Sequence, residues 1–249
     1  MPRTESLRVI LPLLVVWEFV GRMGFVSRSL VPTFSDVIVA LFELFVHQHL
    51  IETMLFSLGT FTLGILLAVS LAVPLGIWVG WSATVRRHLL PLMQVLAPIP
   101  PIAWIPLTVV IFGVGLPMKV FLIALGAFFP IFQNTYQAVM DTDPRYVASA
   151  RIFGASEWTL ICHVYFWNAF GSIISGIKAG IALGLIMLTA AEMYGGRRGI
   201  GFLLVQAKEF FQIPVMVACM MLLGLIGWGL IELLKGVERK ISVWKEVRR

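Results

Sequence analysis

The chain has 249 residues, 59% of them hydrophobic and 13% charged, with a mean hydropathy of +0.94. That charged share is about half of what a soluble domain carries, and a soluble fold of this size cannot hide so much apolar surface. Composition thus excludes a soluble domain, a disordered chain, collagen and a disulfide scaffold, and leaves an integral membrane protein. The net charge of +6 fits positive residues held on the cytoplasmic side. It does not point to nucleic acid, because no basic run carries interleaved aromatics for base stacking.

A transmembrane helix needs about 20 mainly apolar residues. Six stretches qualify: 7–23, 56–81, 90–112, 120–139, 169–193 and 214–234. The first is the shortest and carries Glu18. No small-x-small cleavage site follows it, and Arg22 and Arg28 come next, so it reads as a retained helix rather than a signal peptide. The stretch 34–54 sets Val37, Leu41, Leu44 and Phe45 at helical spacing among Asp36, Glu43 and His47. That pattern predicts an amphipathic helix lying in the membrane interface. His47 and His49 lack a third ligand and read as solvated side chains. Cys162 and Cys219 lack metal-ligand spacing and read as buried, inert thiols. No metal or cofactor site is expected in this chain.

Six spans place both termini on one side. With the termini inside, the inner segments hold 12 of the 19 Lys and Arg residues. The outer segments hold 6: Arg22, Arg28, Lys119, Arg197, Arg198 and Lys208. This bias predicts cytoplasmic termini. The fold class is therefore all-α, a polytopic bundle of about six spans, with 1–249 forming one transmembrane domain.

Small residues recur at every fourth position in two spans. Gly64, Ala68, Ala72, Gly76 and Gly80 line one side of the second, and Ser172, Gly176, Gly180 and Gly184 one side of the fifth. Such faces let helix backbones approach closely in lipid. Packing within one subunit and contact between two subunits both fit them. The third span holds Pro98, Pro100, Pro101 and Pro106. Each proline removes a backbone donor and clashes with the preceding turn, so a straight helix is excluded. The carbonyls freed at such a break must be buried or line a wet cavity, which makes the bend a candidate pathway lining.

The segment 140–167 is a long connection on the expected cytoplasmic side. Asp143-Pro144 fits a helix start, and Gly154 a helix end at about Phe153. Ser156 opens a second helical stretch, with Glu157 favouring its amino end. The expectation is two short helices at a glycine corner, projecting as a knob.

The run Pro100-Pro101-Ile102-Ala103-Trp104-Ile105-Pro106 is followed by Phe112-Gly113-Val114-Gly115 and by Lys119-Val120-Phe121-Leu122. Later come Ala190-Ala191-Glu192-Met193 and Gly199-Ile200-Gly201-Phe202. In this order they closely resemble permeases of bacterial ABC importers, in the branch serving nitrate, alkanesulfonate, taurine and bicarbonate. The resemblance covers roughly residues 59–214. It implies a type I importer permease in the bacterial inner membrane, working as a homodimer. It also implies a cytoplasmic ABC ATPase dimer, which carries ATP and Mg, and an extracytoplasmic solute-binding protein. The segment from Asp143 to Ser156 sits where the family carries its coupling loop. The implied coupling residues are Arg145, Ala148, Ser149, Ala150, Arg151, Gly154, Ala155 and Ser156. The family's Glu falls on Ala148 and its next Ala on Ser149, while Ala150 and Gly154 agree. Docking through that Glu is excluded, and docking by shape remains.

The chain holds no Gly-x-x-x-x-Gly-Lys-Ser/Thr loop, so its energy comes from another chain or from an ion gradient. A secondary transporter is the alternative, but such proteins carry paired intramembrane carboxylates and internal repeats, and neither is evident. No catalytic constellation is present, so an enzyme is not expected. The pathway candidates are Pro100, Pro101, Trp104, Lys178 and Glu192. Lys178 is a charge within the fifth span. It either pairs with a freed carbonyl or a carboxylate of another helix, or it attracts an anion beside the pathway.

Overall fold

The structure is a computed structural model that describes residues 3–23, 31–47 and 50–241. His49, Arg28 and the terminal Lys245, Arg248 and Arg249 lie outside the described residues. All the regular elements described are helical. They are α1 (Arg3–Arg22), α2 (Phe34–His47), α3 (Leu50–Trp81), α4 (Ala83–Leu96), α5 (Ile105–Phe112) and α6 (Leu116–Met140). Then come α7 (Pro144–Ile152), α8 (Glu157–Thr159), α9 (Phe166–Gly195), α10 (Ile200–Glu209) and α11 (Ile213–Ile241).

Four described helices are long and apolar enough to cross a membrane: Leu50–Trp81, Leu116–Met140, Glu157–Gly195 and Ile213–Lys240. The expected third span, 90–112, is a broken one: Ala83–Leu96 (α4) and Pro101–Phe112, which contains α5, meet at 87° and are long and apolar enough for a span only together. Neither piece alone, of 14 and 8 residues, reaches the ~20 that a straight crossing takes, but together they carry the chain from the end of α3 back to the start of α6. The cause of the break is the proline cluster: Pro100 is extended at φ −57° and ψ 128°, and a short 3₁₀ turn, Pro101–Trp104, follows it. The expected first span lies within α1, which is 20 residues long but carries Arg3, Glu5, Arg8, Glu18 and Arg22. It is not among the four. The expected interfacial stretch 34–54 is divided between α2 and the first turn of α3. Val37 and Leu44 of α2 are buried together with Ile200 and Leu204 of α10 and Cys219 of α11.

α6 is the centre of the bundle, and the small-residue stripes show why. A β-carbon at Gly64, Gly76 or Gly80 of α3 would lie 2.5–2.7 Å from Ile123, Thr135 or Val139 of α6. At Gly176 of α9 it would meet Asn134 at 2.9 Å, and at Gly180 it would meet Ile131 at 3.0 Å. Both stripes are therefore filled from within the same chain, the first by α6 and the second by α6 with Ile65 and Phe61 of α3 at Gly184, and their glycines are not a surface for a second subunit. α3 and α6 run in one direction, while α9 runs back against α6, touching α3 and α11. The chain ends of α3, α6 and α11 thus share one end of the bundle with the α7–α8 knob. The starts of α3 and α6, the end of α9 and all of α10 share the opposite end.

Gly76→Leu is expected to destabilise the bundle by about 1–3 kcal/mol through overpacking against Thr135 and the Phe132 carbonyl. Gly224→Leu on α11, with nothing within 4 Å of its β-carbon, is expected to stay near wild type. Thermal unfolding in detergent checks the contrast.

Candidate functional site

The knob is built from local capping chemistry. The Asp143 carboxylate accepts from the Arg145 backbone N–H at 2.8 Å, and Pro144 occupies the first helical position. α7 then runs to Ile152 and stops at Gly154, whose φ of +80° lies in the left-handed region. The Gly154 N–H donates to the Arg151 carbonyl at 2.9 Å, and the Ala155 N–H to that of Ala150 at 3.0 Å. The Ser156 hydroxyl accepts from the Thr159 N–H and so caps α8. The second helix is not short, however. It continues through a π-helical segment, Leu160–Tyr165, into α9, giving one helix from Glu157 to Gly195. A movement of the corner therefore acts directly on a membrane-spanning rod.

The corner displays large apolar groups: Ile152 is 83% exposed, Phe153 88% and Trp158 73%. Ala148 and Ser149, where the family pattern has Glu and Ala, are exposed on α7, and Ala150 is half-buried. Arg151 pairs with Glu157 across the corner at 2.8 Å, and Trp81 Nε1 of α3 donates to the same carboxylate at 3.2 Å. Arg145 is 92% exposed, 3.9 Å from Asp143. The site thus presents an apolar tip flanked by Arg145 and the Arg151–Glu157 pair, with Trp81 of α3 hydrogen-bonded to that pair.

A second polar centre lies at the opposite end. Glu192 has 0% exposure. It accepts from the Ser57 hydroxyl at 2.7 Å and from the Gly201 N–H at 2.9 Å, while the Ile200 N–H donates to Ser57 Oγ at 3.1 Å. Gly199 has φ +130°, and a β-carbon there would sit 2.2–2.5 Å from the Glu192 carboxyl group. A glycine is required by both backbone and space. Glu192 therefore fastens the start of α10 to α3 and α9 and faces no open channel within this chain. Ser57 and Lys119, the latter 3% exposed, belong to this region and were missed as site residues in the sequence. In the sequence Lys119 stood as an outer-segment charge and as part of the run after the Gly113-Val114-Gly115 turn, with nothing to mark it as buried.

The five pathway candidates do not converge. Trp104, at the proline bend, packs on a cluster that includes Met187, Ala190 and Ala191, close to Glu192. Pro100 is exposed and Pro101 half-buried. Lys178 lies at least nine residues further back along α9, about 14 Å of helix rise. It pairs with Glu238 of α11 at 2.5 Å, the two side chains being 25% and 28% exposed. This is the carboxylate partner on another helix named as one alternative above. Glu238 lies in the polar end of α11 with Lys235, Arg239 and Lys240, so Lys178 sits at the knob-side boundary of the bundle. A charge neutralised in this way gives no support to an anionic cargo. Lys178→Met is expected to cost about 1 kcal/mol or less, and that cost is expected to shrink in a Glu238→Gln background. A double-mutant cycle on thermal unfolding measures it.

Long apolar helices around a glycine-lined core, with an apolar corner projecting at one end, define a multi-pass membrane protein with a protruding contact surface. The chain belongs to the family of binding-protein-dependent transport system inner membrane components, whose model matches residues 72–241. It is 32% identical to a putative ABC transporter permease of Methanocaldococcus jannaschii, over 98% of this chain and 93% of that protein. It is 30% identical to the taurine transport system permease of Escherichia coli, over 97% and 90% of the two chains. It is 28% identical to a putative aliphatic sulfonates transport permease of Bacillus subtilis, over 94% and 84%. The protein is thus a multi-pass transport subunit of the inner membrane, in a system that includes an ATPase and a solute-binding protein.

Proposed function

We propose that two copies of this chain form the membrane pathway of an ATP-driven importer for a small organic anion of the sulfonate type. The supporting observation is the knob. Its glycine-set corner exposes Ile152, Phe153 and Trp158 and leads without a break into the helix from Glu157 to Gly195. Docked in an ATPase cleft, the corner moves with that partner and carries α9 along. ATP and Mg bind the ATPase dimer, and this chain supplies only the mechanical contact. Ala148 stands where a docking Glu is usual, so contact rests on shape and apolar surface.

The charge bias puts the knob end in the cytoplasm, and α10 and the Glu192 junction on the outer side, where a solute-binding protein delivers cargo. If α1 and the bent α4–α5 pair each cross the membrane, both termini lie at the knob end and the spans number six. The relatives that transport taurine and aliphatic sulfonates support the cargo class.

Reconstitution with the ATPase and the binding protein in proteoliposomes tests this reading. Ethanesulfonate uptake is expected to require ATP and the binding protein. Uptake driven by an ion gradient without ATP would favour the secondary-transporter alternative instead.

A further inference from the structure

At the end opposite the knob, a cavity of about 450 Å³ opens between α6 and the junction of α9 and α10. Its size falls in the usual range for small-ligand sites, about 300–1,000 Å³. Lys119, Arg197 and Arg198 line it, with Phe56, Gly115 and Gly195, and no carboxylate does.

The charges there are incompletely matched. Lys119 forms no ion pair among the described residues. Its ammonium donates to the Arg198 carbonyl at a long 3.4 Å and lies 5.2 Å from the Phe56 ring centroid. Glu192 faces it from α9 and offsets part of its charge, but the hydrogen bonds of that carboxylate go to Ser57 and Gly201 and none joins it to Lys119 among the described residues. An ammonium has three donors, so a buried one with a single carbonyl partner is under-satisfied. Arg197 makes no hydrogen bond or ion pair among the described residues. Arg198 reaches Glu52 at 3.3 Å, and both of those side chains are largely exposed.

We infer that this cavity is an oxyanion site, in which Lys119 and Arg197 hold the sulfonate group of the cargo at the outer mouth of the pathway. The guanidinium offers a planar fork to two sulfonate oxygens, and the ammonium offers a point charge to the third. The Phe56 ring gives an apolar wall to the organic part. The assignment of cargo rests on the importer reading above. A lipid phosphate offers the same oxyanion chemistry, and the experiment separates the two sources.

The permease–ATPase complex, without the binding protein, is placed in nanodiscs of phosphatidylcholine alone. Equilibrium binding of radiolabelled ethanesulfonate is measured, and the retained ATPase is quantified in the same sample. Wild type is expected to bind, Arg197→Gln to bind ~10-fold more weakly or worse, and Arg197→Lys to recover most of the loss. Arg197 is exposed, so these variants keep the fold. Lys119→Gln is expected to abolish binding. Equal binding by wild type and Arg197→Gln would overturn the site. So would a wild type that binds no ethanesulfonate while phosphatidylglycerol, added to the nanodiscs, is retained through Arg197. Loss of the ATPase with Arg197-dependent binding intact would instead count against the importer reading and leave the site standing.

Discussion

Gly154→Leu is expected to leave the protein folded in the membrane while ATP-driven uptake falls by roughly tenfold or more, the consequence of misplacing the docking corner by about 1–2 kcal/mol of backbone strain. The strain is conformational and not steric. Gly154 holds φ +80°, and a β-carbon built there meets nothing within 4 Å. A leucine must therefore leave the left-handed region, which swings Phe153 and Trp158 relative to one another. Thermal unfolding is expected to shift little, because the corner is exposed and buries no core. Gly154→Asn supplies the control, since asparagine tolerates this region better than other side chains, and it is expected to keep most of the uptake. Equal loss in both variants would mean that the corner's angle is not what matters.

Glu192→Ala is expected to give the largest stability loss among single substitutions at polar sites, about 3–5 kcal/mol. Truncation leaves the Ser57 hydroxyl and the Gly201 N–H without their acceptor and removes the carboxylate that faces buried Lys119. The start of α10 is then unfastened from α3 and α9. Glu192→Gln keeps an acceptor for one of the two donors and is expected to lose roughly half as much. Unfolding in detergent ranks the three proteins. Limited proteolysis at 196–199 reports whether α10 has come loose. A Glu192→Ala protein as stable as wild type would show that the junction is not held by this carboxylate.

The knob was legible in the sequence because its signals are local. Asp143, Pro144, Gly154 and Ser156 each act within three residues of their own position, and each does so in the structure. The proline bend was legible for the same reason, although its 87° angle was not. The continuation of α8 into α9 was hidden, since a π-helical register change at Leu160–Tyr165 leaves no composition mark. The stripes of small residues announced close packing but not its partner. That partner, α6, came from tertiary structure. The same limit applies to the polar pairs: Ser57 and Glu192 are 135 residues apart, and Lys178 and Glu238 are 60 apart. No periodicity links such positions. Lys178 drew attention as a charge within an apolar run, and its neutralising partner lay beyond the end of the last expected span.

An ATP-driven importer subunit of this build must bring its α7–α8 corner against an ATPase. In a Cys162→Ser, Cys219→Ser background, Phe153→Cys provides a thiol at the exposed tip. A short bifunctional maleimide is then applied to the complex in proteoliposomes. The predicted result is a covalent permease–ATPase adduct whose yield changes when ATP is bound, with no adduct from Phe211→Cys at the opposite end. An adduct from Phe211→Cys, or none from Phe153→Cys in a complex that still imports, would contradict it.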